Sequence, residues 1–466
     1  MTEPAADDEP ERRSLLQRAI DRAAATRPIP GNRVTLLHDG PAVYDAMLAQ
    51  IAGARQFVHF ENYIIEDDAT GRRFQAALAE RARAGIKVRI LYDWLGCLGT
   101  GGRYWRVLRE AGCEVRAFNP FHPLHPFRAI TRDHRKLVVA DGRTAIVGGL
   151  CIGDDWMGRP DEGVEPWRDT AVLVEGPAAV ALENAFRRVW GLTGPKVPEE
   201  ERIASTPPVG DAAVRVVVGE PGRQRAFRVL EYLAAGARRR LWVTDAYLLP
   251  PARLFEVMAL AEKDGVDVRV LVPGASDIPL VRNLTRLGYR RLLKAGIRIF
   301  EWDGVMLHAK TCVADGRWAR VGTSNINAAS LFGNFELDLV IEDRELARAL
   351  EAQYRRDMAG SLEVVQHPRN APGPLRRVVP SRLVPAERGR SALTRSSREL
   401  RQRAMVGARR VINAAFRSLF GPASIALVLL GALFLIFPKW MGLGFGALCL
   451  WFAVAAGIQA WWERSP

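Results

Sequence analysis

The chain has 466 residues, 48% of them hydrophobic, which is enough for two or three domains with filled cores and too apolar for a disordered polypeptide. Its net charge of +14 is concentrated in residues 367–417, where 13 arginines face only Glu387 and Glu399; the rest is close to neutral, which argues against a groove built for duplex nucleic acid. Five cysteines (Cys97, Cys113, Cys151, Cys312, Cys449) are odd in number and form no zinc-type cluster with histidine. They imply no disulfide framework and fit a reducing compartment best.

In chain order, residues 1–31 read as a polar extension, with Asp7, Asp8 and Glu9 ahead of a short helix-like stretch and no apolar core of a signal peptide. Residues 32–200 read as a first α/β lobe and 201–366 as its duplicate. Ala84-Gly-Ile-Lys-Val-Arg-Ile-Leu91 is echoed by Asp264-Gly-Val-Asp-Val-Arg-Val-Leu271, Ala111-Gly112 by Ala295-Gly296, and Tyr63 in its apolar run by Tyr247. Between Gly112 and His134 the first lobe carries about ten residues more than the second does between Gly296 and His308. The surplus holds Phe118 to Phe127, whose prolines exclude a helix; it reads either as a loop tucked between the lobes or as an apolar lip touching acyl chains, with His122 and His125 as loop residues.

Residues 367–394, rich in proline and arginine, read as a linker, and 395–418 as a basic amphipathic helix resting on anionic lipid head groups. Residues 419–462 hold two apolar runs, Leu419 to Phe437 and Met441 to Ala460, broken at Pro438-Lys439-Trp440. Each run, at about 1.5 Å per residue, just crosses a hydrocarbon core about 30 Å thick, so a transmembrane hairpin is expected, flanked by Trp440, Trp461 and Trp462. The arginines before it place the catalytic lobes on the cytoplasmic side of the membrane.

The chemistry lies in a pattern found twice: His134, Lys136 and Asp141, then His308, Lys310 and Asp315. Alternation predicts His and Lys on one face of a strand, where a neutral imidazole attacks phosphorus while the ammonium beside it holds the phosphate oxygens. The second copy supplies another imidazole for the leaving group and another cation, so no metal or other cofactor is implied. Asp141 and Asp315 complete the motif, but their odd spacing and the glycines after them predict turn caps. Glycine-rich turns follow each copy, with Thr323 and Asn325 able to donate to phosphate in the second lobe; the same offsets in the first hold Gly149 and Cys151.

These motifs, together with Phe60-Glu-Asn-Tyr-Ile-Ile65, Trp167-Arg-Asp169, Asp245-Ala-Tyr247 and Asn334-Phe-Glu-Leu337, resemble the phospholipase D superfamily and within it the bacterial cardiolipin synthases, over roughly residues 32–363. The resemblance implies an α/β fold of two duplicated lobes, each a mixed sheet flanked by helices, forming one pseudo-twofold active site. It implies His134 as nucleophile and Asp169 and Glu336 as carboxylates supporting the imidazoles. Relatives usually carry Asn where Cys151 stands, so the first half-site is expected to lack one phosphate donor.

The expected activity is a membrane-anchored phosphatidyl transfer from phosphatidylglycerol to a second lipid through phosphohistidine, with anionic phospholipid as both substrate and surface. Hydrolysis by water, a nuclease of the same superfamily and a silent scaffold are the alternatives. Intact motifs count against the scaffold and the near-neutral lobes against the nuclease. Oligomeric state is open.

Overall fold

The computed structural model describes residues 8–122, 130–365 and 376–378, together with 450, 451 and 454. The stretch expected to form a basic amphipathic helix, almost all of the expected hairpin and Pro123 to Phe127 of the surplus loop lie outside them. Among the described residues, no helix is long and apolar enough to cross a membrane.

The first lobe is built from β1 (Ile29–His38), β2 (Phe57–Asn62), β3 (Lys87–Asp93), β4 (Glu114–Phe118), β5 (Leu137–Ala140), β6 (Thr144–Gly148) and β7 (Thr170–Glu175). The second is built from β8 (Ala212–Gly219), β9 (Arg240–Thr244), β10 (Asp267–Pro273), β11 (Arg298–Trp302), β12 (Thr311–Ala314), β13 (Trp318–Gly322) and β14 (Glu336–Glu342), extended by β15 (Ser361–Val365) and β16 (Arg376–Val378). Helices α1 (Asp8–Ala24), α2 (Asp39–Gly53), α3 (Ala69–Arg83), α4 (Gly102–Glu110), α5 (Asp154–Met157) and α6 (Ala178–Trp190) accompany the first set; α7 (Arg225–Gly236), α8 (Ala252–Lys263), α9 (Pro279–Lys294) and α10 (Arg344–Ala359) accompany the second.

These strands form one mixed sheet, joined at its centre where β1 meets β8 antiparallel through Ile29–Val214 and Asn32–Ala212. Outward from that seam the order is β1-β7-β6-β5-β2-β3-β4 on one side and β8-β14-β13-β12-β9-β10-β11 on the other. The duplication read from the repeats is therefore a strand-for-strand correspondence. In each lobe the crossovers give parallel pairs, β2 with β3 and β9 with β10, while the hairpins β5–β6 and β12–β13 are antiparallel. The echoed glycines end helices: Gly112 (φ 98°) and Gly296 (φ 85°) take the left-handed conformation after α4 and α9, where a side chain would be strained.

Helices cover the sheet on both faces, so its inner strands are buried throughout; all six residues of β2 are inaccessible. One apolar cluster unites the lobes, with Leu137, Val147 and Val172 from the first and Val313, Val321 and Leu339 from the second, closed by Phe186 and Trp190 of α6 and Leu350 and Tyr354 of α10. Buried Arg135 strengthens the junction by donating to three carbonyls, those of Glu336 (3.2 Å), Ala185 (3.0 Å) and Gly219 (3.3 Å). Phe118, grouped with the surplus loop by sequence, is the last residue of β4 and packs edge-on against Phe335 at 5.4 Å between ring centroids. Within the region read as a linker, β16 pairs antiparallel with β15. Both lobes belong to one unit; Phe121, His122, Leu450, Trp451 and Val454 belong to a second.

Candidate active site

The His-x-Lys pairs do not ride on strands. His134 and Lys136 lie in the lead-in to β5, His308 and Lys310 in the lead-in to β12, and regular strand pairing begins only at Leu137 and Thr311. The backbone groups before those residues are used across the lobes instead. Asp133 bridges in parallel to Phe335 and Arg168 to Leu307, with His134 N–H donating to Phe335 O (2.9 Å) and His308 N–H to Arg168 O (2.8 Å). Each lysine bends back to its own motif: Lys136 Nζ donates to His134 O at 2.7 Å, and Lys310 Nζ to His308 O.

This exchange decides which carboxylate meets which imidazole. His134 Nδ1 lies 3.1 Å from Glu336, and His308 Nδ1 lies 2.8 Å from Asp169. Each histidine is thus oriented by the opposite lobe, and neither lobe holds a complete half-site by itself. Asp169, held ionised, only accepts, so the His308 proton sits on Nδ1 and its Nε2 carries the lone pair. The four charged groups converge electrostatically as well. Burial, then Lys136, then Lys310 hold the His134 imidazole well below its usual pKa; burial and then Lys310 bring His308 to about 4. Burial, with Lys136 opposing the pull of Asp169, lowers Lys310 to about 8.

The two carboxylates differ. Burial pushes Asp169 up, but the His308 hydrogen bond and charge, with Lys310, overcome it and hold Asp169 below its usual range. Burial raises Glu336 to about 7 against the pull of Lys136. Asp169 also accepts from Trp156 Nε1 (3.3 Å) and Thr170 N–H (2.8 Å), whereas Glu336 accepts from the Thr323 and Ser330 hydroxyls. Trp156 and Ser330 were not legible as site residues: they lie outside both motifs, and their signal is visible only in three dimensions. The walls are aromatic, with Tyr63 edge-on to His134 at 4.9 Å and Trp156, Trp167 and Tyr247 around His308 at 5.4, 5.8 and 6.0 Å.

Asp141 and Asp315 stand at the far ends of their strands, in left-handed conformation (φ 54° and 56°). Asp141 accepts the backbone N–H groups of Arg55, Gln56 and Phe57, and Asp315 those of Arg238, Arg239 and Arg240, all between 2.8 and 3.0 Å. Their carboxylates cap the entries to β2 and β9 and do not support the imidazoles.

The residues expected to bind phosphate divide. The Thr323 hydroxyl donates to Glu336 rather than to an open site, and Gly149 N–H is taken by Thr170 O at 3.2 Å. What Gly149 supplies is room, since a Cβ there would collide with the Asp169 carboxylate. Asn325 remains: it is buried and its side-chain oxygen has no partner among the described residues. Cys151, at the offset corresponding to Asn325, is buried with its thiol pKa raised by burial. Among the described residues no group of three or more His, Cys, Asp or Glu side chains is placed to hold a metal ion.

Two lobes with the same strand order, each presenting His-x-Lys toward the other, define a phospholipase D-type fold and site. The profile described as cardiolipin synthase, phospholipase D-like domain, matches residues 47–190 and 231–358. Among curated relatives, cardiolipin synthase A of Pseudomonas entomophila is 32% identical over 363 residues (75% of each chain), and that of Pseudomonas aeruginosa is 33% identical over 360 (76% of this chain, 72% of the relative). The chain belongs to the cardiolipin synthase family of the phospholipase D superfamily, and is a cardiolipin synthase-like phosphatidyltransferase. Phosphatidylserine synthase of Haemophilus influenzae has the same fold, with a TM-score of 0.59 at 15% identity over 85% of this chain and 99% of that one. Polyphosphate kinase of Porphyromonas gingivalis is more distant in fold, with a TM-score of 0.52 at 15% identity over 80% of this chain and 53% of that one.

Proposed function

We propose that the protein makes cardiolipin from phosphatidylglycerol by two in-line displacements through a phosphohistidine, with His134 as nucleophile and His308 as acid and base. The cross-lobe pairing of each imidazole with the other lobe's carboxylate carries the reading, because it ties both histidines to one interface, as a mechanism with two imidazoles and two ammoniums on one phosphodiester requires. Lys136, Lys310 and Asn325 hold the non-bridging oxygens. The His134 Nε2 lone pair forms the P–N bond as the P–O bond to glycerol breaks, and the leaving oxygen takes the proton of the His308 imidazolium. The hydroxyl of a second phosphatidylglycerol then gives its proton to His308 and attacks phosphorus, releasing His134.

The unlike carboxylates support this order. Asp169, held ionised, favours a cation on His308, while Glu336, raised to about 7, does little to protonate His134. Burial and then the lysines favour neutral imidazoles; an anionic phosphodiester offsets the ammoniums and lets His308 take up its proton. Asp141 and Asp315 belong to the frame of the motif. The apolar runs of residues 419–462 and the basic stretch before them are read as the anchor, with the catalytic lobes at the cytoplasmic face of the membrane. Water as acceptor would give a phospholipase D.

Purified protein with defined phosphatidylglycerol, followed by lipid mass spectrometry, is the test. Cardiolipin and glycerol in equal amounts are expected; phosphatidic acid as the main product would replace the transferase reading with the hydrolase.

A further inference from the structure

Helix α9 is apolar on two sides. Thr285, Tyr289 and Leu292 face the core, and on the opposite side Leu280, Leu284 and Leu287 form a stripe that is 68, 43 and 77% exposed. Its sequence holds Arg282, Arg286, Arg290, Arg291 and Lys294 and no carboxylate. Arg286 is paired with Glu301 at 2.9 Å, but the helix still carries a net positive charge. A soluble helix gains nothing by presenting three leucines to water in one line, and such a stripe on a basic helix matches an anionic lipid surface.

The helix also stands at the site. Asp277, two residues before its start, accepts from Tyr247 OH at 2.8 Å, and the Tyr247 ring lies against His308. On the first lobe the corresponding loop after β3 exposes Leu95 and Leu98, and it touches Tyr63, the aromatic neighbour of His134, through Cys97 Sγ and Tyr63 O at 3.6 Å. Exposed apolar residues therefore lead from both imidazoles to the surface.

We infer that α9, helped by the Leu95–Leu98 loop, docks the catalytic unit on an anionic phospholipid bilayer so that the site faces the head groups. The inference rests on the lipid-substrate reading and adds a second contact, in the catalytic unit itself, to the expected C-terminal anchor. It follows that the anchor alone leaves the site badly presented to lipids in the plane of the bilayer.

The full chain with Cys449→Ser and Leu284→Cys carries an environment-sensitive fluorophore at residue 284, the cysteines at 97, 113, 151 and 312 being buried. A second sample is labelled at Glu80→Cys, on an exposed helix face elsewhere. In nanodiscs of phosphatidylcholine with about one-third phosphatidylglycerol, head-group-region doxyl lipids should quench the label at 284 at least threefold more than the label at 80. Equal quenching at the two positions overturns the inference. So does a label at 284 shielded from aqueous iodide yet untouched by doxyl lipid, which would mean that protein covers the helix.

As a second measurement, Leu280→Ser, Leu284→Ser and Leu287→Ser together should lower turnover on such bilayers tenfold or more and change turnover on short-chain, water-soluble phosphatidylglycerol less than twofold. Equal loss on both substrates overturns docking. Failure of the unaltered chain on both substrates would instead sink the lipid-transferase reading, and the quenching result stands apart from that outcome.

Discussion

Asp169→Asn is the most informative single substitution. The wild-type carboxylate is fully buried and makes three contacts: Oδ2 accepts from His308 Nδ1 (2.8 Å) and Trp156 Nε1 (3.3 Å), and Oδ1 accepts from Thr170 N–H (2.8 Å). An amide of the same shape has one oxygen to offer. If that oxygen keeps Thr170, the new NH2 faces two donors, Trp156 loses its acceptor and His308 must move its proton to Nε2. If the amide flips, Thr170 N–H is orphaned instead. Either arrangement leaves a buried donor unpaired, which costs about 1–3 kcal/mol of stability. The chemical loss is larger, because the imidazolium no longer faces a negative charge; amidating the carboxylate behind a catalytic histidine lowers turnover roughly 10⁴-fold in the best-studied case. We expect release of labelled glycerol from phosphatidylglycerol in mixed micelles to fall by roughly 10³- to 10⁴-fold, with thermal unfolding used to correct for the folded fraction. A folded Asp169→Asn protein that retained more than a tenth of wild-type turnover would refute the argument that His308 works through this carboxylate.

Glu336→Gln should remove a pH dependence of stability. The folded carboxyl is raised to about 7 from 4.5, so its contribution is complete below about pH 4.5 and is lost as pH rises through 7; the wild type should lose about 3 kcal/mol more than the variant over that interval in denaturant titrations. Parallel pH profiles for the two proteins would be the contrary result. Asp141→Ala should cost about 2–3 kcal/mol, since three backbone N–H groups lose a charged acceptor, while turnover per folded molecule stays within about threefold; a hundredfold drop in that turnover would mean the carboxylate reaches the chemistry. Activity should survive chelation by EDTA because Lys136 and Lys310 supply the positive charge, and loss of activity restored by one divalent ion would contradict this.

The lobes were legible because duplication leaves the same demands in both halves: a left-handed residue after each helix, filled at Gly112 and Gly296, and a capping carboxylate at each hairpin, filled at Asp141 and Asp315. The partition of the support was not legible. Sequence names Asp169 and Glu336 as supporting carboxylates but not which imidazole each serves; the parallel bridges at Asp133–Phe335 and Arg168–Leu307 decide it, and no periodicity encodes that crossing. Alternation misplaced the His-x-Lys pairs on strands for the same reason, since their backbone groups are spent between the lobes rather than within a ladder. Thr323 read as a phosphate donor because a hydroxyl after a glycine turn has that reach, yet a closer buried acceptor, Glu336, claims it. Ser330 acts on the same carboxylate from a turn without any motif of its own. The two apolar runs read from the sequence as a hairpin fall almost entirely outside the described residues.

The central claim is that one imidazole takes the phosphatidyl group and the other moves the proton. His308→Ala treated with phosphatidyl-p-nitrophenol, whose leaving group needs no acid, isolates the first step. The account predicts a stoichiometric burst of p-nitrophenol and an acid-labile phosphatidyl adduct, found by peptide mass spectrometry on His134 and absent from His134→Ala. A burst with no adduct on His134, or with the adduct on another residue, would contradict it.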